Sequence, residues 1–272
     1  MKEIGGQALI EGVLMISPEK TAIALRKNSK IITKVEKRSQ SLKKLKKVPF
    51  LRGILALIEM LYTGTKALMY STEVAAGEDE KITKTELSLT LLFSLSLAIG
   101  LFVALPLFLT KLITTDRLAF NLIDGLFRIL IFMLYLFIIG FSSEIKRVYQ
   151  YHGAEHMSVH CYEAKKDLTV NNVKNFPPEH PRCGTSFIFL VLIISILLFS
   201  LVWHPSWIIK FLERILLIPV IASISYEILK LSAKTKFLKF LTFPGLWLQK
   251  LTTRQPDKKQ IEVAITAIKK VL

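Results

Sequence analysis

The string His152-Gly153-Ala154-Glu155-His156 carries the densest chemistry in the chain. Two imidazoles four residues apart project from one face of a helix, a spacing that suits two donors to one metal ion. The glutamate directly before the second histidine fits the inverted zincin pattern His-x-x-Glu-His, in which that carboxylate acts as general base on water. His160 continues the i, i+4 series, so His156 and His160 form an alternative pair. Cys161 and Glu163 follow, and a second cluster, His180-Pro181-Arg182-Cys183-Gly184, lies further on. Four of the five histidines and both cysteines fall between residues 152 and 183. That clustering, more than their number, points to a divalent-metal site, with zinc as the first candidate.

A pair of histidines needs a third donor. Glu163 is close to the azimuth of His152 but about 16 Å further along a straight helix, which excludes it as a co-ligand of His152. His180, Cys183 and Glu227 come from other segments. The first two reach the pair if the loop 164–183 folds back, and its Asn171-Asn172 and Pro177-Pro178 turns allow that return. Glu155 is the catalytic candidate, and Glu163 and Arg182 are further polar candidates.

The scaffold for these side chains is a membrane. The chain has 272 residues, is 51% hydrophobic and carries a net charge of +16, with a mean hydropathy of +0.44. Long apolar runs assign that charge to loops beside anionic lipid headgroups rather than to nucleic acid. Two cysteines without a CxxC suit a reducing compartment, and MKEIGGQALIEGV does not pattern as a secretory leader. Leu87–Leu109 and Gly184–Trp203 are uncharged and long enough to span. Two further spans, about Ala119–Ser143 and Ile208–Leu229, contain charges. No strong breaker apart from Gly140 and Gly153 separates the second span from Glu163, so one helix is expected to run through both. Lys and Arg number 16 in residues 1–86, six in 144–183 and ten in 230–272. This bias places both termini and the His-rich segment 144–183 on the cytoplasmic side of the cell membrane. Asp124, Arg128, Glu213 and Arg214 lie near the outer end of antiparallel spans, where Asp124 with Arg214 and Arg128 with Glu213 satisfy one another. Glu227, near the cytoplasmic end, has no such partner.

The expected fold is therefore mainly α: a polytopic protein with about four transmembrane helices over 87–232, flanked by smaller parts. Residues 1–48 show short β-type runs broken by Ser17-Pro18-Glu19 and Lys27-Asn28-Ser29, which predict a small sheet with a hairpin across Asn28. Gln7 and Glu11 follow a Gly5-Gly6 turn, and Glu11 is read inside an apolar strand. Lys43, Lys44, Lys46 and Lys47 form a basic run. Residues 49–76 predict an amphipathic helix that packs on the bundle or lies at its interface. In the basic tail 233–272, Pro244–Leu248 predicts an interfacial turn, and a terminal helix follows Pro256-Asp257 with Ile261, Ala264, Ile265, Ile268 and Leu272 on its apolar face.

GGQALIEGV at the start, PFLRG at 49–53, YHGAEH with HCYEA through 164, HPRCGTSF at 180–187 and PGLWLQKLTTRQPDKKQIEVAI at 244–265 together resemble the YqhQ family, a bacterial membrane family of unknown function described as predicted metal-dependent enzymes. The resemblance covers nearly the whole chain. It implies a metal site and draws Gln7 and Glu11 toward it, because GGQALIEGV matches as a block. The function expected is an integral-membrane metal-dependent hydrolase acting at the cytoplasmic face on a membrane peptide or a lipid. The alternative is a non-catalytic scaffold or assembly factor with structural histidines; transport is disfavoured because four spans are few.

Overall fold

The computed structural model describes residues 2–39, 45, 48–76, 83–202, 204–232, 235 and 243–272. The basic run at Lys43, Lys44, Lys46 and Lys47 lies outside the described residues. Strands β1 (Gly5–Leu9), β2 (Gly12–Ile16), β3 (Lys20–Lys27) and β4 (Lys30–Lys37) form an antiparallel meander in the order β1-β2-β3-β4. The two-residue loop Ile10-Glu11 joins β1 to β2, and Asn28-Ser29 joins β3 to β4. Glu11 and Asn28 adopt left-handed φ of 53° and 56°, so Glu11 belongs to a turn and not to a strand. Asparagine is suited to that conformation; glutamate is not, and needs contacts to hold it there.

The sheet is covered on both faces, which is why β2 reads as a continuous apolar run. Val13, Met15, Ala22 and Ala24 share one face and pack on α5 (Ser143–Glu163) and α10 (Lys258–Val271) through Tyr151, Ala154, Met157, Ile261, Ala264 and Ile268. Leu9, Leu14 and Leu25 point the other way, onto Ala67, Tyr70 and Val74 of α1 (Leu51–Ala76). Side-chain alternation along the strands produces this division. Ile268 is fully buried, and its truncation to alanine should cost about 2–5 kcal/mol. α1 approaches its neighbours through glycines. A Cβ at Gly53 would stand 3.0 Å from the Cα of Ser223, and one at Gly64 would strike the side chain of Gln7.

Among the described residues, three helices are long and apolar enough to cross a membrane. The first, Thr85–Ile113, comprises α2 (Lys84–Ile99), a π turn (Gly100–Ala104) and α3 (Leu105–Ile113). The others are α4 (Arg117–Ile139) and α7 (Gly184–Leu201). Leu92, Phe93, Leu126, Leu134 and Leu197 are exposed on them, as side chains facing lipid are. The segment expected as a fourth span forms helix α8 (Trp207–Ser232), which carries Lys210, Glu213, Arg214, Glu227 and Lys230 and is not one of these three.

Several expectations change here. α4 does not run on into the histidines: it ends at Gly140, and Ser142 caps α5 by accepting the N–H of Ile145 at 3.4 Å. Ser142-Ser143-Glu144 was the helix-start signal at this boundary. Asp124 does accept from Arg214, at 2.7 Å, but Arg128 donates to the same Asp124 at 3.0 Å and not to Glu213. An i, i+4 partner on its own helix is the nearer one. Residues 244–248 lie within helix α9 (Phe243–Thr252) and not in a turn.

Candidate metal centre

α5 presents its histidines in a ladder. The rings of His152 and His156 lie 4.3 Å apart between centroids, those of His156 and His180 5.7 Å, and those of His180 and His160 4.3 Å. His180 joins because the segment after α5 turns back, through the short helix α6 (Val170–Val173), to Pro178 and Cys183. Two sets of metal-capable donors result: His152, His156 and Cys183, and separately His160, Glu163 and His180.

The two sets differ in what their donor atoms already do. In the first, His152 Nδ1 donates to the carbonyl of Thr252 at 2.9 Å, and His156 Nδ1 to that of Pro178 at 2.6 Å. A carbonyl only accepts, so each ring carries a proton on Nδ1, and in a neutral imidazole that leaves the lone pair on Nε2. His152 Nε2 lies 3.3 Å from Cys183 Sγ, while among the described residues His156 Nε2 has no hydrogen-bond partner. This is the arrangement in which outer hydrogen bonds orient imidazoles as ligands. In the second set, the N–H of Arg182 donates to His180 Nδ1 at 3.2 Å, so His180 Nε2 is the donor to Glu163, at 3.3 Å. Arg182 pairs with the same carboxylate, and His160 Nε2 donates to the Glu179 carbonyl at 2.8 Å. His180, Glu163 and Arg182 are thus matched to one another without a metal.

Electrostatics follow burial. Desolvation drives His156 well below the usual imidazole range and His180 down to about 4, so both are neutral at physiological pH. Burial raises the Cys183 thiol, against hydrogen bonds to Thr185 and Gly184 that lower it. Glu155 is pushed up to about 8, first by desolvation, with His152 opposing and Cys183 adding to the rise. Its carboxyl stands against Gly6 of β1, where a Cβ would meet Glu155 Cδ and Oε1 at 2.9 Å.

The surrounding elements are locked around α5. A Cβ on Gly153 would fall 2.2 Å from the Arg254 carbonyl oxygen, so only glycine lets the end of α9 lie across the helix. A Cβ on Gly245 would meet the Cα of Ser186 at 2.5 Å, which seats α9 on the start of α7. Gln249, fully buried, accepts from the His180 N–H at 2.7 Å and donates to its carbonyl at 3.0 Å. Gln249 and the Thr252 and Pro178 carbonyls have no counterpart among the sequence candidates. Backbone acceptors leave no side-chain signature, and Gln249 was passed over within PGLWLQKL.

A model described as "Protein of unknown function (DUF1385)" matches residues 48–272. The chain belongs to this family. It is also 38% identical over 295 residues to the uncharacterized protein YqhQ of Bacillus subtilis (strain 168), an alignment covering 98% of this chain and 92% of that protein. No solved structure matches. The family range holds the two histidine sets, Glu155 and the α9 strap, while Gly6 and Gln7 precede it.

Three sequence candidates stand elsewhere. Glu227 does not reach the histidines: it accepts from Arg52 Nε at 2.7 Å and from the Phe50 N–H at 3.1 Å, at the start of α1. The partner that seemed to be missing is thus Arg52, brought in by the close approach at Gly53. Glu11 accepts two hydrogen bonds from Arg147 at 2.5 Å and one from Tyr151 at 3.3 Å, which hold its left-handed turn. Gln7 lies against Gly64 of α1.

Proposed function

We propose that this protein is an integral-membrane, metal-dependent hydrolase with its site at the cytoplasmic membrane face, carried on four spans with α8 as the fourth and both termini cytoplasmic. The observation that carries the reading is the pair of hydrogen bonds that hold the two histidines by Nδ1. Both Nδ1 atoms are engaged by backbone carbonyls, and both lone pairs are left for one ion with Cys183.

The donor set fits zinc. Two imidazoles and a thiol are borderline-soft, and three protein ligands leave the open position of a catalytic site. Tetrahedral zinc separates nitrogen from sulfur by about 3.6 Å, and His152 Nε2 and Cys183 Sγ stand at 3.3 Å. A divalent cation held by His152, His156 and Cys183 would supply Lewis acidity and a charge that brings Glu155 down from about 8 into its ionised range. The residues do the remainder. Thr252 and Pro178 orient the two rings. Glu155 and His156 are buried in the packing around α5, which keeps them out of bulk water. Glu155 takes a proton from the attacking water at a carboxylate oxygen and returns it to the leaving group. His160, Glu163, His180 and Arg182 brace the loop that carries Cys183.

Cys183 is the residue immediately before α7, which supports a site at the level of the membrane surface and a substrate anchored there. Glu155→Gln separates catalysis from binding. It should keep the wild-type metal content and lower the hydrolytic rate at least 100-fold; unchanged turnover of the same substrate would remove Glu155 from its role.

A further inference from the structure

We infer that the substrate of this site is an extended polypeptide segment that adds to the sheet along the outer edge of β1; this rests on the hydrolase reading above. β1 is an edge strand with β2 as its one neighbour in the sheet. Among the described residues, no hydrogen bond engages the backbone groups on its other side. Such a row of free N–H and C=O groups is a template for another strand. Gly5 and Gly6 are exposed at its start. Gly6 is explained by the Glu155 carboxyl beneath it, but nothing lies within 4 Å of a Cβ on Gly5, and its φ is not left-handed. Among the described residues nothing calls for glycine there, and two consecutive glycines leave both faces of the edge open where another backbone approaches.

The position fits the chemistry. A strand added about 4.8 Å outside β1 passes the point where Gly6 touches the Glu155 carboxyl, and Glu155 directly precedes His156 of the metal-binding trio on α5. A peptide laid along that edge would run beside the carboxyl that the hydrolase reading makes the general base. In the reaction, water oxygen bonds to the carbonyl carbon while Glu155 accepts a water proton; the C–N bond breaks, and the leaving amine takes that proton. A lipid has no repeating N–H and C=O to pair with β1, so the edge favours peptide.

The test uses zinc-loaded full-length protein in phospholipid nanodiscs with unfolded β-casein. New casein N-termini are expected with wild type and not with Glu155→Gln. The cleaved segment is then resynthesised with single N-methylated amides. Strand addition predicts at least tenfold loss of cleavage at every second amide near the cut and little loss at those between. A second readout needs no turnover: the unmethylated peptide should slow hydrogen exchange of the outward-facing Gly6 and Ala8 amides in Glu155→Gln. Lipid products without peptide cleavage would overturn the peptide assignment and leave the hydrolase standing. Cleavage without the two-residue alternation, or β1 amides already protected by a second copy, would overturn the edge. If zinc is bound but neither peptide nor lipid is cut, the peptide assignment also falls. Failure to bind zinc would refute the hydrolase reading itself.

Discussion

At the scale of single residues, the centre depends on proton positions. His156 is held neutral by burial, so binding a cation there displaces no proton at physiological pH. Cys183 is different: its thiol is raised above the ordinary range, and a thiolate ligand forms only by releasing a proton. Zinc affinity, measured by chelator competition between pH 6 and 8, should therefore rise by about tenfold per pH unit for the Cys183 proton, and by up to about tenfold more for the proton that Glu155 gives up when the ion brings it down from about 8. A Cys183→Ser variant should bind more weakly and lose the Cys183 part of that slope. The histidine pair and Glu155 were legible because ligand spacing on a helix is a local property of sequence. The choice of Cys183 over Glu227 was not. It depends on Arg52 having taken Glu227, a contact across 175 positions that no local pattern encodes.

At the scale of elements, the site is an α5 helix gripped by a strap. The approach of α9 at Gly153, the Thr252 carbonyl on His152 and the Gln249 clamp on His180 belong to one packing arrangement. Gly153→Ala would push a methyl group to within 2.2 Å of the Arg254 carbonyl oxygen. The strap must retreat, and His152 loses its outer hydrogen bond. The expected result is a 10–100-fold weaker zinc affinity with about 1–3 kcal/mol of destabilisation, measured by chelator competition and thermal unfolding in detergent. The four strands were readable from turn residues and β-type runs. The α4–α5 break was readable in principle, at Ser142-Ser143-Glu144, but was masked by the apolar continuity of the preceding span. The α9 helix was hidden by a proline and glycine that are tolerated in its first turn.

At the scale of the whole molecule, a soluble-type layered unit is mounted on the membrane helices. The sheet lies between α1 on one side and α5 with α10 on the other, and α5 leads through the returning loop into α7. Under the proposed function, this puts the chemistry beside a bilayer without burying it in one. The proposed topology makes the α3–α4 connection external and the 164–183 loop internal. In intact cells, an impermeant maleimide should label Thr115→Cys but reach Asn171→Cys only after permeabilisation; the reverse pattern would invert the assignment. The membrane class was plain from the apolar runs, whereas the pairing of the charged α8 with α4, where Asp124 holds both Arg128 and Arg214, was legible only in part.

The most direct test of the central claim is the zinc content of the purified protein by mass spectrometry, in wild type and in His152→Ala/His156→Ala, with folding checked in both. One ion per wild-type chain and almost none in the double variant is the predicted result. Equal metal content in the two proteins would contradict it.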